Sequence, residues 1–184
     1  MLLRSNTLFV LAPLALITAC AGMTSSHMTA FDQSALPDAV KVPTGHMVAM
    51  HTIGAGDITY ECRAKANVAN AHEWVFVGPQ ADLNSRGGAK LGTYYGPPAT
   101  WASTDGSKIT GTQLATAPGG SGNIPMQLVK ANPASSAGAM NGVTYIQRVA
   151  TRGGVAPAAV CDSSAIGSKQ TVKYQADYIF WKAA

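Results

Sequence analysis

Beyond about residue 43, apolar and polar residues alternate with a period of two, in short runs bounded by Gly, Pro, Asn or Asp. That alternation sends successive side chains to opposite faces of a strand, and no run of useful length carries the 3.6-residue period of a helix. The clearest case is near the C-terminus. Val172, Tyr174, Ala176, Tyr178 and Phe180 alternate with Lys173, Gln175 and Asp177, which predicts a strand over 171–181 with one buried face for most of its length. Ile58, Tyr60 and Cys62 share one face of a strand over 57–63, and that face is expected to point inward. A strand over 46–52 precedes it, and Ile53-Gly54-Ala55-Gly56 between the two reads as a hairpin loop. The pattern predicts further strands over 73–77, ending at Gly78-Pro79, and over 89–95, after a turn at 84–88. Strands over 100–104 and 108–113 flank Asp105-Gly106, a strong short-range hairpin signal. Residues 115–123 form a Gly-, Pro- and Ser-rich loop, and strands over 124–130 and 143–151 complete the set. Roughly eight to ten short strands at close spacing give an all-β, single-domain fold, a β-sandwich or a partly closed β-barrel. Periodicity leaves both open.

The chain before this region follows a different pattern. Residues 1–19 carry Arg4 and then an apolar run from Leu8 to Ile17 that is too short to span a bilayer, the form of a cleaved export signal. The run ends in Ile17-Thr18-Ala19-Cys20, which resembles the box of a bacterial lipoprotein whose cysteine is lipidated after cleavage. More than one acyl chain makes such an anchor stable. Ala19-Cys20-Ala21 equally satisfies the small-x-small rule for ordinary cleavage, which would discard Cys20 and release a soluble periplasmic or secreted protein. Under the lipoprotein reading, Ala21 after the cysteine resembles outer-membrane sorting, and the membrane is a partner through the lipid. Residues 20–42 mix Ser, Thr, Ala, Met and Pro without a period and read as a flexible tether to a β-domain over 43–184.

Composition narrows the class further. Charged residues are 12% and hydrophobic ones 47%, with 19 Gly and 10 Pro, a balance that suits an exported, turn-rich β protein. The formal charge of +4 does not point to nucleic acid, because Lys41, Arg63, Lys90, Lys108, Lys130 and Lys169 are scattered rather than gathered into a groove. With Cys20 lipidated or lost, Cys62 and Cys161 remain as a pair in an oxidising compartment, and a disulfide between them is expected. Closing a loop of roughly 100 residues would stabilise the fold by about 4–5 kcal/mol in the chain-entropy model. Two separate buried thiols are the alternative.

Candidate chemistry is sparse. Tyr94, Tyr95 and Trp101, in a segment stiffened by Pro97 and Pro98, form a candidate ligand-binding set for a sugar ring or another flat small molecule, with Asp105 or Arg148 as polar anchors. The same aromatics can instead be ordinary core. Arg148 alternates onto the face opposite Val143, Tyr145 and Val149, so with Tyr145 inward it is exposed or paired with a carboxylate. His46, Met47, Met50 and His51 are copper-type ligands, but on one strand they divide between faces, and His46 and Met50 stand about 13 Å apart. No metal and no cofactor is therefore assigned. Gly120-Ser121-Gly122 lacks the spacing of a nucleophile elbow, and no H-E-x-x-H occurs. The favoured reading is a non-catalytic envelope module that binds a small molecule, glycan or envelope partner or serves structurally. The alternative is a secreted hydrolase with a site near Tyr94, Asp105 and Arg148.

The order of several residue groups resembles an uncharacterised secreted family catalogued as domain of unknown function 3455. They are Tyr60 and Cys62, Trp74, Gly96-Pro97 with Trp101, Asp105-Gly106-Ser107, Ile124-Pro125, Ile146-Gln147-Arg148, Thr151-Arg152-Gly153-Gly154 with Pro157 and Cys161, and Ala176-Asp177-Tyr178. The likeness runs from about Pro43 to Trp181 and is most specific over 146–161. It implies export and a β fold but no activity. Tyr94-Tyr95 stands where the family tends to carry a histidine, so no role of that histidine carries over.

Overall fold

A computed structural model describes residues 31–184. The expected signal over 1–19, the lipidation site Cys20 and the first part of the tether lie outside the described residues. The domain is all β: β1 (His46–Ala64), β2 (His72–Asn84), β3 (Lys90–Tyr95), β4 (Thr100–Ser103), β5 (Lys108–Ala117), β6 (Met126–Ala131), β7 (Val143–Gly153) and β8 (Lys169–Ala183). Every strand pairs antiparallel with its sequence neighbours, and β8 pairs back onto β1, so one sheet closes on itself as a barrel. A sandwich needs two sheets, so the barrel alternative is the one realised. Because the connections alternate between ends, the turn 96–99 and the loops 65–71, 118–125 and 154–168 crowd one end, here the upper. The turns 85–89 and 104–107 and the loop 132–142 crowd the lower end.

Two expected breaks are not breaks. β1 runs straight through the supposed hairpin at Gly54 and Gly56, pairing there with β2 on one side and β8 on the other. The glycines serve close approach instead. A Cβ on Gly54 would stand 2.5 Å from the Tyr178 ring, and one on Gly56 would stand 2.1 Å from the Gln80 carbonyl oxygen. Likewise β2 continues through Gly78-Pro79, with a register shift against Thr59 and Tyr60. Pro79 is tolerated because β3 joins β2 only from Gln80 onward, so at Pro79 a single neighbouring strand asks for hydrogen bonds.

The inner wall is the main core. It gathers Ile58, Tyr60, Leu83, Tyr94, Trp101, Ile109, Ile146, Tyr174, Ala176, Tyr178 and Phe180, so the inward faces expected for β1 and β8 are the ones observed. Eight strands give a barrel just wide enough to be filled by side chains or to hold one small ligand. At the lower end the Asp105 carboxylate accepts from the Ser107 N–H and Oγ–H and from the Ala139 N–H, while Ser107 Oγ accepts from the Met140 N–H. These bonds seat the fully buried Met140 in the inner core.

A second core lies outside the sheet. Ala117, Leu128, Val149, Ile179 and Trp181 face outward yet are buried, because Val40 and Val42 from the preceding segment cover them. From Phe31 onward the expected tether is therefore a docked strap, with a short 3-10 turn at Asp38–Val40. The physical reason is that β8 is apolar on both faces at Ile179–Trp181, and the outer face must be covered.

The expected disulfide joins Cys62 to Cys161, with an S–S distance of 2.02 Å and Cα atoms 5.5 Å apart. It ties the β7–β8 loop to the upper end of β1. The Trp74 indole N–H, donating to the Ala159 carbonyl at 2.7 Å, fixes the same loop from β2.

Candidate functional site

The upper end opens into a cleft of about 290 Å³, lined by Phe76, Pro79, Tyr94, Gly96, Pro97, Ala99, Gln113, Gln127 and Arg148. That size is at the small end of ligand sites, which begin near ~300 Å³. Register builds it. Phe76 stands opposite Tyr60 and Pro79 opposite Ile58, so the shift between Thr59 and Tyr60 keeps both β2 residues on the side of the inner wall. The β3–β4 turn at Gly96–Ala99 roofs one side, and Gln127 and Arg148, directly paired across β6 and β7, form the other. The Gln127 amide donates to the Gln113 side-chain oxygen.

Arg148 is the polar centre of this cleft, for a reason the alternation alone does not reveal. A register shift between Val143 and Tyr145 turns Tyr145 outward, under Lys130 and beside His46, while Val143 and Ile146 face inward. Two residues beyond Ile146, Arg148 therefore lies on the side of the inner wall, half-buried at the open mouth of the cleft. Its Nε–H and one Nη2–H donate to the Pro125 carbonyl at 3.2 and 3.0 Å, leaving three of its five N–H donors for other partners. Of the two alternatives, exposure or a carboxylate partner, no carboxylate partner is found among the described residues. All nine acidic residues of the chain fall among the described residues, and each is engaged elsewhere. Asp38, Asp57, Glu61, Glu73, Asp82 and Asp177 pair with lysines or arginines elsewhere, and Asp32, Asp105 and Asp162 with serines of their own turns.

Four phenols belong to the inner core on the side that Arg148 faces, and Tyr94 shares its cleft. Burial pushes the Tyr60, Tyr94, Tyr174 and Tyr178 hydroxyls up from their ordinary values, and in each the charge of Arg148 opposes the rise. All four are protonated phenols at neutral pH, which the upward shift only reinforces. Tyr60 donates to the Gly154 carbonyl at 2.7 Å, and the Tyr174 and Tyr178 hydroxyls lie 3.3 Å apart. The Tyr94 side chain is 6% exposed and lines the cleft, and its hydroxyl bonds to none of the described residues.

Of the candidate residues read from the sequence, the structure brings Tyr94 and Arg148 together and disperses the rest. Trp101 stacks beneath Tyr94 with ring centroids 4.8 Å apart, but at 1% exposure it is core, not a platform. Tyr95 alternates to the outer side of β3. Asp105 sits in the lower turn, at the other end of β4 from the cleft, with its carboxylate consumed by Ser107 and Ala139. The hydrolase constellation of Tyr94, Asp105 and Arg148 thus does not converge. His46 bonds to the Pro43 carbonyl and His51 to Asp177, so the histidine–methionine run is divided. Among the described residues no three His, Cys, Asp or Glu side chains gather as a metal site. Sequence reasoning missed Phe76, Gln113 and Gln127. The signal for Phe76 was the Gly78-Pro79 interruption, which marked a shift in facing rather than the end of a strand.

The chain belongs to the family described as Protein of unknown function (DUF3455), whose model matches residues 43–182. No curated protein and no solved structure matches it.

Proposed function

We propose that this member of the family is a non-catalytic binding module that holds a small molecule with an apolar body in the cleft at the upper end of the barrel. One observation carries the reading: a concave site lined by Phe76, Pro79, Tyr94 and Pro97, with an Arg148 guanidinium whose donors are not exhausted, at the mouth of an otherwise filled barrel. Acid–base chemistry has little to work with there, since all nine carboxylates are committed elsewhere. The export signal and the lipoprotein-type Cys20 support placing the module in the bacterial envelope, tethered to the outer membrane.

The test is protein NMR of the mature chain titrated with bicyclic aromatic fragments. Saturable shifts confined to Phe76, Gly96, Gln127 and Arg148, and abolished by Phe76→Ala, are the expected result. Shifts scattered over the surface, or unchanged in Phe76→Ala, would refute the reading. Incorporation of labelled fatty acid that is lost in Cys20→Ser tests the anchor.

A further inference from the structure

We infer that the cleft selects an organic anion, a carboxylate or similar oxyanion carried on a flat apolar body, with Arg148 as the specificity-determining residue. The inference rests on the binding reading above and adds the chemical class of the ligand.

Charge accounting leads to it. Every Asp and Glu side chain of the chain is described and engaged at another place, so no acidic side chain offers Arg148 a counter-ion. Its only described hydrogen-bond acceptor is the neutral carbonyl of Pro125, which fixes the guanidinium without cancelling its charge. A cation held against an aromatic wall loses hydration on that side, and an incoming anion restores the lost interaction. The guanidinium is pre-oriented by its two bonds to Pro125, so little side-chain freedom is lost when a planar oxyanion docks on the remaining donors.

The neighbours are suited to the same group. The Tyr94 hydroxyl, a phenol that is protonated at neutral pH, lines the cleft and has no hydrogen-bond partner among the described residues. Gln127 stands directly across from Arg148 and presents a neutral amide rather than a competing carboxylate. Phe76, 51% exposed, and the rings of Pro79 and Pro97 offer apolar surface to the remainder of the ligand. No lining residue carries a negative charge, so nothing in the cleft repels an anion.

The experiment compares naphthoate with naphthamide, which share a shape and differ in charge, by isothermal titration calorimetry on the mature protein. Naphthoate is expected to bind about tenfold or more tightly than naphthamide, the range of a hydrogen bond to a charged group. Arg148→Met should erase that preference while leaving naphthamide binding in place, and Arg148→Lys should keep part of it. Unchanged near-ultraviolet circular dichroism confirms that the variants remain folded. Equal binding of the two probes to the wild type, lost in Phe76→Ala, overturns the anion assignment alone. A preference that survives Arg148→Met overturns it as well. Failure of both probes to bind overturns the assignment together with the reading it rests on.

Discussion

The inner and outer walls of the barrel are both buried, but by different means. Inside, the strands cover one another: Tyr94 stacks on Trp101, Tyr178 tilts against Tyr94 at 5.1 Å, and Gly54 leaves room for the Tyr178 ring. Outside, the strands cannot cover themselves, and Ile179 and Trp181 depend on a segment that is not part of the sheet. That segment is located by polar groups. Gln147, fully buried, donates to Gln33 at 2.8 Å and to the Val40 carbonyl at 2.6 Å, and accepts from the Trp181 indole N–H at 2.8 Å. Gln33 in turn bridges to the backbone of Val42. The inside is filled mainly by apolar and aromatic packing, with the Tyr60–Gly154 and Tyr174–Tyr178 hydrogen bonds within it. The outside uses a satisfied polar network to place a strap in one register, where a partly satisfied one would be costly.

The run Ile146-Gln147-Arg148 shows the division within three residues. Ile146 is in the inner core, Gln147 is under the strap, and Arg148 faces the cleft. The three residues open the stretch over 146–161 that carries the most specific part of the family likeness, and they meet three separate structural demands, of which the proposed ligand concerns only the last.

The largest test of the contrast is Trp101→Ala. It removes the side chain beneath Tyr94 and should lower the unfolding free energy by about 3–5 kcal/mol, read from urea denaturation. A loss under about 1 kcal/mol would mean that the inner wall collapses to fill the gap and is not closely packed. Next comes Gln147→Ala, which leaves the Trp181 indole and the Val40 carbonyl without a partner and should cost about 2–3 kcal/mol. Its signature is local: the Val42 amide, which donates to Gln33 at 2.7 Å, should lose protection from hydrogen exchange while amides of β8 paired with β1 keep theirs. Equal loss of protection in both places would merge the two walls into one cooperative unit.

The smallest effect is expected from Asp105→Asn, because that network lies in water. Hydrogen bonds from the Ser107 side chain, and from the Ala139 and Ser107 amides, hold the Asp105 carboxyl below its ordinary value of 3.8. A depressed folded-state pKa contributes stability that is present above the unfolded value and is lost as pH falls through the folded one. The melting-temperature gap between wild type and Asp105→Asn should therefore be modest at neutral pH and shrink as the solution is acidified below about pH 4. A gap that widens in acid would contradict this account of the lower turn.

The strands themselves were largely legible because each has one buried face, and burial on one face imposes alternation on the residues that make it. The inward set on β8 and the trio Ile58, Tyr60 and Cys62 follow from that rule alone. The disulfide was legible for a different reason, since the expectation of export left Cys62 and Cys161 with one pairing. Alternation misleads wherever the count slips. At Thr144 and at Val77–Gly78 an extra residue reverses the facing, and with it went the expected inward facing of Tyr145 and the end of β2. A glycine pair looked like a turn because sequence records the missing side chain but not the neighbouring strand that excludes it.

The sequence by itself determined that the chain is built of strands and which faces of the longest ones are inward, and it made a Cys62–Cys161 disulfide the expectation that the structure then realised. Only the tertiary structure decided that one sheet closes into a barrel, that Phe31–Val42 is a strap, and that Tyr94 and Arg148 meet while Asp105 lies at the far end. Facing within a strand is set by neighbours along the chain. Closure, covering and convergence are set by residues brought together across it, and a one-dimensional pattern holds no record of which distant strand a given face will meet.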